Sequence, residues 1–123
     1  MAITLNTTLR NARGNAIVTE AGALAKLTVY TAAYAAVLYT STCAATLGTV
    51  AGGVLTFNAV GNATATGAGV AAIARLFKTD GTTMVIEGLT VGTSGTNIII
   101  TNATIAVNDV ITTSSATITE GNP

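Results

Sequence analysis

The clearest pattern in the chain is a pair of alternating segments on either side of Asp80-Gly81. Residues 72–78 and 83–91 are rich in β-branched and aromatic side chains. The dipeptide between them readily accepts the positive φ angles of a tight turn. The pattern therefore predicts a β-hairpin at this place.

The register of this hairpin depends on its loop. A two-residue turn would place Arg75 opposite Ile86, whereas a three-residue loop that includes Thr82 would place Arg75 opposite Glu87. The second register pairs opposite charges. An exposed cross-strand ion pair stabilises by less than about 1 kcal/mol, so both registers stay open.

A bulge is predicted at Gly88 in the second of these segments. Met84 and Ile86 share one face of a strand, and Leu89 and Val91 would share the other if the strand were regular. One extra residue at Gly88 would bring all four side chains to the same face.

Further short segments have the composition and spacing of strands. Residues 51–53 predict the turn of a second hairpin, residues 32–41 fit either a loop or a short helix, and residues 61–69 lack periodicity and predict a surface loop. About eight short antiparallel strands at turn spacings of roughly 8 to 12 residues are typical of a β-sandwich of jelly-roll type. The remaining predicted strands cover residues 26–31, 44–50, 54–60, 97–101, 104–107 and 110–119.

One helix is expected near the start, after a short arm at residues 1–5. Asn6 or Thr7 can cap it, and Gly22 can end it, which predicts a helix over about residues 7–21. The charged residues Arg10, Arg13 and Glu20 fall largely off the apolar positions and predict a solvated face. The apolar positions at helical spacing are Leu5, Leu9, Ala12, Ala16 and Ile17.

Composition narrows the function classes. Only 8% of the 123 residues are charged and the net charge is zero, so no broad field would attract a nucleic acid. A neutral surface rich in hydroxyl groups favours association. Residues 27–47 are uncharged, but Thr and Ser recur in them and no basic cluster flanks them, so we expect no membrane span. The whole chain is expected to form a single domain.

Candidate chemistry is sparse. The chain has no histidine, which removes the commonest general base and metal ligand. Cys43 is the only cysteine, so it is expected to be a small, partly buried hydrophobe. The five acidic residues are widely spaced, and Asp80 and Asp109 are interpreted as turn formers. We therefore expect no catalytic residues, no metal and no cofactor.

Three tyrosines, Tyr30, Tyr34 and Tyr39, lie close together in sequence. They could form an interaction surface or serve in packing, since tyrosine has an apolar ring and a polar end. Packing is favoured, and the interaction surface stays open.

Several phrases of the sequence are informative together: residues 9–13 and 16–18, 26–31, 53–57, 80–81, 91–95 and 116–122. They resemble those of a group of small tailed-phage virion proteins similar to the capsid decoration, or cement, proteins of short-tailed phages. The resemblance spans nearly the whole chain and rests on hydrophobic pattern and turn phrases. Residues 32–43 are richer in Ala and Tyr than the polar loop of that family, and the chain carries fewer charges.

The resemblance implies a structural role on a virion. It implies a jelly-roll protein on the capsid exterior, made in the host cytoplasm, that binds the major capsid protein and stabilises the icosahedral head as a dimer or trimer. The arm and loops are then the expected contacts, with Met1, Ile3, Leu5, Tyr34 and Tyr39 as candidate residues. A tail or fibre module that binds a host surface is the alternative.

Overall fold

The computed structural model describes residues 5–119 as one helix, a short 3-10 turn at Ala32–Tyr34 and twelve strands. The helix, α1, is Thr7–Ala21. The strands are β1 Lys26–Tyr30, β2 Val37–Thr42, β3 Gly48–Ala51, β4 Val54–Phe57, β5 Ala63–Thr64, β6 Gly69–Val70, β7 Ile73–Phe77, β8 Met84–Gly92, β9 Ile98–Ile100, β10 Thr104–Ile105, β11 Val110–Ile111 and β12 Thr113–Thr119.

Eight of these strands form one curled sheet that has the shape of a half-barrel. Its strand order is β2-β1-β7-β8-β9-β12-β4-β3. The β-rich fold with a single helix is thus confirmed for the described residues. The sandwich of jelly-roll type is not confirmed and stays a prediction.

The sheet consists of two antiparallel runs of four strands. The first run is β2-β1-β7-β8 and the second run is β9-β12-β4-β3. They are joined by a two-residue parallel ladder, in which Val91 pairs with Ile98 and Gly92 with Ile99. This ladder corrects the expectation that the strands are antiparallel throughout.

Side-chain hydrogen bonds fix this junction. The amide and hydroxyl of Thr90 both donate to Asn97 Oδ1 at 3.0 Å, and Asn97 N donates back to Thr90 Oγ1 at 3.0 Å. Asn97 Nδ2 also donates to the carbonyl of Thr117 on β12 at 3.2 Å. The short loop between β8 and β9 therefore moves the chain sideways by one strand without turning it back.

The hairpin of β7 and β8 is confirmed, and so is the bulge at Gly88. Ala74 pairs with Leu89 and Leu76 with Ile86, so two residues of β8, Glu87 and Gly88, lie opposite the single residue Arg75. Gly88 has a φ of 81°, a value that glycine adopts without strain. Arg75 thus faces Glu87, but because of the bulge and not because of a three-residue loop.

A second register shift lies near the turn of this hairpin. Phe77 pairs with Met84 while Leu76 pairs with Ile86, so Val85 is the extra residue. The alternation predicted that Met84 and Ile86 share the buried face. This prediction is wrong for Met84, which is half exposed because of the register shift. The Lys78 amide donates to the Thr83 carbonyl at 2.9 Å, so the loop has four residues and neither predicted loop length is right.

The hairpin of β3 and β4 is confirmed, with Ala51 paired to Val54. Gly52 and Gly53 form its turn with φ angles of 59° and 77°, as a two-residue hairpin turn requires.

Two loop predictions are corrected. Residues 61–69 are not a simple surface loop, because β5 pairs with β11 and β6 pairs with β10, and Ala63 and Ala65 are buried. The second half of residues 32–41 is neither loop nor helix, because β2 begins at Val37 and pairs with β1, whereas the first half holds the short 3-10 turn Ala32–Tyr34. The alanine-rich residues 32–36 directly before β2 obscured where this strand begins.

The helix is confirmed at its predicted bounds. Asn6 Oδ1 accepts a hydrogen bond from Leu9 N at 2.8 Å, and Gly22 ends the helix with a φ of 69°. Its packed face matches the prediction only in part, because Ile17 packs against the core but Gly14 and Ala21 are buried while Leu9 is exposed.

Gly14 explains which face of the helix packs on the sheet. A Cβ atom there would come within 2.9 Å of Val50 Cγ1 on β3, so the missing side chain lets the helix approach the sheet. Asn11 Oδ1 also accepts a hydrogen bond from Gly53 N in the β3–β4 turn at 2.7 Å. The helix therefore lies on the β3–β4 hairpin through Gly14 and Asn11, while Ile17 and Val18 pack against the core.

The core lies on the inner side of the curled sheet and draws on both runs. Cys43 belongs to it, and burial raises the pKa of its thiol to about 11 despite the opposing effect of Lys26. The largest fully buried apolar side chains of the core are Tyr39, Leu27, Leu38, Leu47, Leu55, Leu76, Ile98, Ile100 and Val29.

Candidate binding surface

The outward face of the first run carries an unusual concentration of large side chains. β1 and β7 pair in regular register, so Ile73, Arg75 and Phe77 point to the same side as Tyr30. Three of the chain's five aromatic residues lie here, beside an arginine and a methionine. We call this surface the outer patch and define it as Tyr30, Tyr34, Ile73, Arg75, Phe77 and Met84. Within it Met84 is exposed, Tyr30 is buried and the other four side chains are half-buried.

Tyr34 reaches the outer patch from a strained turn. Ala33 and Tyr34 have φ angles of 57° and 58°, in the left-handed region that disfavours residues with a Cβ. The turn is closed by Thr31, whose amide donates to the Ala36 carbonyl at 2.9 Å and whose Oγ1 accepts from Ala36 N at 3.0 Å. These hydrogen bonds hold the ring of Tyr34 above the sheet.

Arg75 lies between two tyrosine rings. Its guanidinium carbon is 3.8 Å from the centre of the Tyr34 ring and 5.3 Å from that of Tyr30. The two rings meet edge to face, with centroids 5.2 Å apart. A cation over an aromatic face is attracted by the electrons of the ring, so the three side chains support one another.

Glu87 completes the electrostatics of the patch. Its Oε2 lies 3.3 Å from Arg75 Nε, and both side chains are partly exposed. Desolvation opposes the charge on Arg75, but Tyr30 and then Glu87 outweigh it, so the pKa of the guanidinium stays above its ordinary value. Arg75 therefore keeps its positive charge in a surface whose other members are aromatic and aliphatic side chains.

The bulge and the strained turn are tied together. The backbone amide of Gly88 donates to Tyr34 Oη at 2.9 Å. Because a bulge leaves one residue out of the ladder, its amide is available to a side chain. The bulge thus fixes the far end of Tyr34, while the Thr31 turn fixes its backbone.

The candidate contact residues lie in different places. Met1 and Ile3 lie outside the described residues, and Leu5 is half-buried just before α1. Tyr34 belongs to the outer patch, where its side chain is half-buried. The expectation that Tyr39 is a contact residue is corrected. Its side chain is 1% exposed and lies in the core, where burial raises the pKa of its hydroxyl.

Sequence reasoning missed the rest of the outer patch. The signal was present in the alternation of β7, where Ala74 and Leu76 are buried and the larger Ile73, Arg75 and Phe77 stand on the other side. Strands with one solvated face normally carry polar residues there. Large apolar residues on both faces of a strand therefore indicated a second contact surface.

The two aspartates act as turn formers, as predicted. Asp80 Oδ1 accepts from the amides of Thr82 and Thr83, both at 2.8 Å, and Oδ2 accepts from Thr83 Oγ1 at 2.5 Å. These hydrogen bonds, led by those from Thr83, lower the pKa of Asp80 to about 2. Asp109 Oδ2 accepts from Ala106 N at 2.9 Å in a similar turn.

Residues 5–119 offer little evidence for a ligand pocket, a metal site or a membrane-spanning helix. An open cleft of about 250 Å³ lies beside β10 and β11 and includes Asn102 and Asp109 in its wall. No three acidic or cysteine side chains of the described chain lie close enough together to hold a metal ion. The one described helix is too short and too polar to cross a bilayer.

Comparison of the chain with family models, with curated proteins and with solved structures gave no match.

Proposed function

We propose that this chain is a structural protein of a phage virion that binds the major capsid protein and stabilises the icosahedral capsid. The resemblance of its sequence phrases to capsid decoration proteins suggests the partner. The observation that carries a binding role is the outer patch, where Tyr34 and Arg75 are held rigidly on an outward face. Aromatic residues, arginine and methionine are enriched at protein interfaces.

The rigidity of the outer patch supports this role. A side chain that is already ordered loses little conformational entropy when a partner binds. Tyr34 is ordered by the Gly88 amide and by Arg75. Such preorganised aromatic and arginine side chains are the residues that dominate binding energies in interfaces. Repeated binding across a shell of identical subunits would then add avidity.

The proposal includes a finer description of the fold, a β-sandwich of jelly-roll type. Its support is the path of the chain, which alternates between the two runs. β1 and β2 belong to the first run, β3 and β4 to the second, β7 and β8 to the first, and β9 and β12 to the second. Repeated crossing between two antiparallel sheets is a property of Greek-key sandwiches.

Purified virions encoded by the genome that carries this gene provide the first experiment. Cryo-EM should show density for the chain on the capsid exterior, and a stained gel should show a copy number close to that of the coat protein. Absence from the capsid contradicts the proposal. A scarce chain located on the tail would favour the alternative, a tail or fibre module that binds a host surface.

A second experiment tests the outer patch itself. Coat shells that lack the chain are mixed with purified protein and sedimented. Arg75→Ala and Tyr34→Ser should reduce cosedimentation at least about tenfold, as hot-spot truncations do. Thr64→Ala, at an exposed position on β5 outside the outer patch and α1, should not. Thermal unfolding of each variant establishes that it is folded, and equal binding by all three variants would exclude the outer patch as the contact.

A further inference from the structure

The exposed side of α1 carries an apolar stripe that the chain itself does not cover. Leu9 is 46% exposed, and Ala12 and Ala16 are exposed beside it at helical spacing. The opposite side of the helix, with Gly14 and Ala21, packs on the sheet. A surface helix normally turns its leucines inward, so this stripe indicates a contact with another molecule.

Charged residues flank the stripe on one side. Arg13 and Glu20 are seven residues apart, nearly two turns, so they lie on the same flank. Both side chains are exposed. Glu20 Oε1 lies 3.0 Å from Lys78 Nζ, and the Glu20 side chain stays 63% exposed. Since a carboxylate accepts several hydrogen bonds, it can take a second donor.

These residues are arranged symmetrically about a point between Ala16 and Ile17, in the second half of the helix. Arg13 follows Leu9 by four residues, and Glu20 precedes Leu24 by four residues. Leu24 lies just beyond the helix and is 48% exposed, nearly the same as Leu9. A two-fold axis between Ala16 and Ile17 would therefore bring Leu9 to Leu24 of a second copy and Arg13 to its Glu20 at the same time.

We propose that the outer side of α1 binds the same side of a second copy of this chain, with the two helices antiparallel. A two-fold axis normal to both helices keeps each flank on its own side, so oppositely charged residues meet twice. In a parallel pair the two-fold axis would run along the helices and place the two charged flanks on opposite sides of the contact, so Arg13 would not meet Glu20. Ala12 and Ala16 allow the close approach that helices need, at the short end of the usual axial distances.

Sedimentation equilibrium across a range of concentrations tests this proposal, which does not rest on the virion function. The wild-type chain should show a mass that rises from one chain to two. Ala16→Glu should abolish the dimer, because it puts a charge beside the two-fold axis. Ala36→Glu, the same change at an exposed position outside α1, should leave the dimer intact.

A charge exchange tests the orientation. Arg13→Glu alone and Glu20→Arg alone place like charges opposite each other twice, and each should raise the dissociation constant at least about tenfold. The double variant restores both pairs and should recover the wild-type constant to within a few-fold. Circular dichroism establishes that each variant retains the helix. A mass of one chain at every concentration, a dimer unaffected by Ala16→Glu, or no recovery in the double variant would each overturn the proposal.

Discussion

Replacing Ala33 by glycine should stabilise this protein, although a glycine normally destabilises. Ala33 has a φ of 57° in the turn that presents Tyr34. For a residue with a Cβ, the left-handed conformation costs about 1–2 kcal/mol. Glycine removes that cost but is more flexible in the unfolded chain, which offsets about 0.5–1 kcal/mol. The net gain in the free energy of unfolding is about 0.5–1 kcal/mol, from the difference of these two terms.

Ala35→Gly is a matched control two residues further on. Ala35 is exposed like Ala33, so neither change loses much buried surface. Its φ is −68°, in the ordinary helical region, so glycine relieves no strain there and should cost about 0.5–1 kcal/mol. The two variants should therefore differ by about 1–2 kcal/mol in favour of Ala33→Gly.

Urea unfolding followed by circular dichroism measures both variants. The midpoint should rise for Ala33→Gly and fall for Ala35→Gly, with unchanged slopes. Thermal unfolding should show a gain of about 2–4 °C for Ala33→Gly, given the size of the chain. If Ala33→Gly is no more stable than Ala35→Gly, the turn is not strained and the reasoning is refuted.

Three further predictions follow from single residues. The Cys43 thiol, buried and with its pKa raised to about 11, should react with a thiol reagent at pH 8 at least about 100-fold more slowly in the native protein than in denaturant; rapid native labelling would contradict its burial. The pKa of the Asp80 carboxyl falls from an ordinary 3.8 to about 2 on folding, so its stabilisation is complete above about pH 5 and is lost as the pH falls toward 2. The difference in melting temperature between wild type and Asp80→Asn should accordingly be constant from pH 7 to 5 and shrink below pH 4, and a pH-independent difference would exclude the carboxylate as its cause. A Cβ on Gly48 would overlap the carbonyl oxygen of Thr56, so Gly48→Ala should cost about 2 kcal/mol or more, whereas Gly52→Ala, at a φ of 59° with open space around it, should cost about 1 kcal/mol; equal costs would contradict the overlap.

Features set by local chemistry could be predicted from the sequence. The cap at Asn6, the turn at Asp80 and the bulge at Gly88 depend on residues within a few positions of each other. The prediction of which residues of α1 pack inward was partly wrong, because the packed face depends on the sheet below the helix. The stripe of Leu9, Ala12 and Ala16 has the spacing of a buried face, but Gly14 fits more closely against Val50.

The candidate site was only partly predictable for the same reason. Tyr34 was named from its sequence neighbourhood, whereas its contacts with Arg75 and Gly88 join segments far apart in the chain. The strand at Val37–Thr42 was missed because the alanine-rich residues 32–36 directly before it obscure where it begins, and its pairing with β1 decides its structure. Side-chain burial by distant segments overrides such weak local preferences.

The position of β12 has a consequence for the order in which the protein can be made. β12 lies between β9 and β4 in the second run, yet it is synthesised after both of them. Until it emerges from the ribosome, each of these strands has an unpaired edge, which can pair with another chain. The second run is therefore assembled late, and nascent or truncated chains that end before Thr113 should be prone to aggregation and dependent on chaperones.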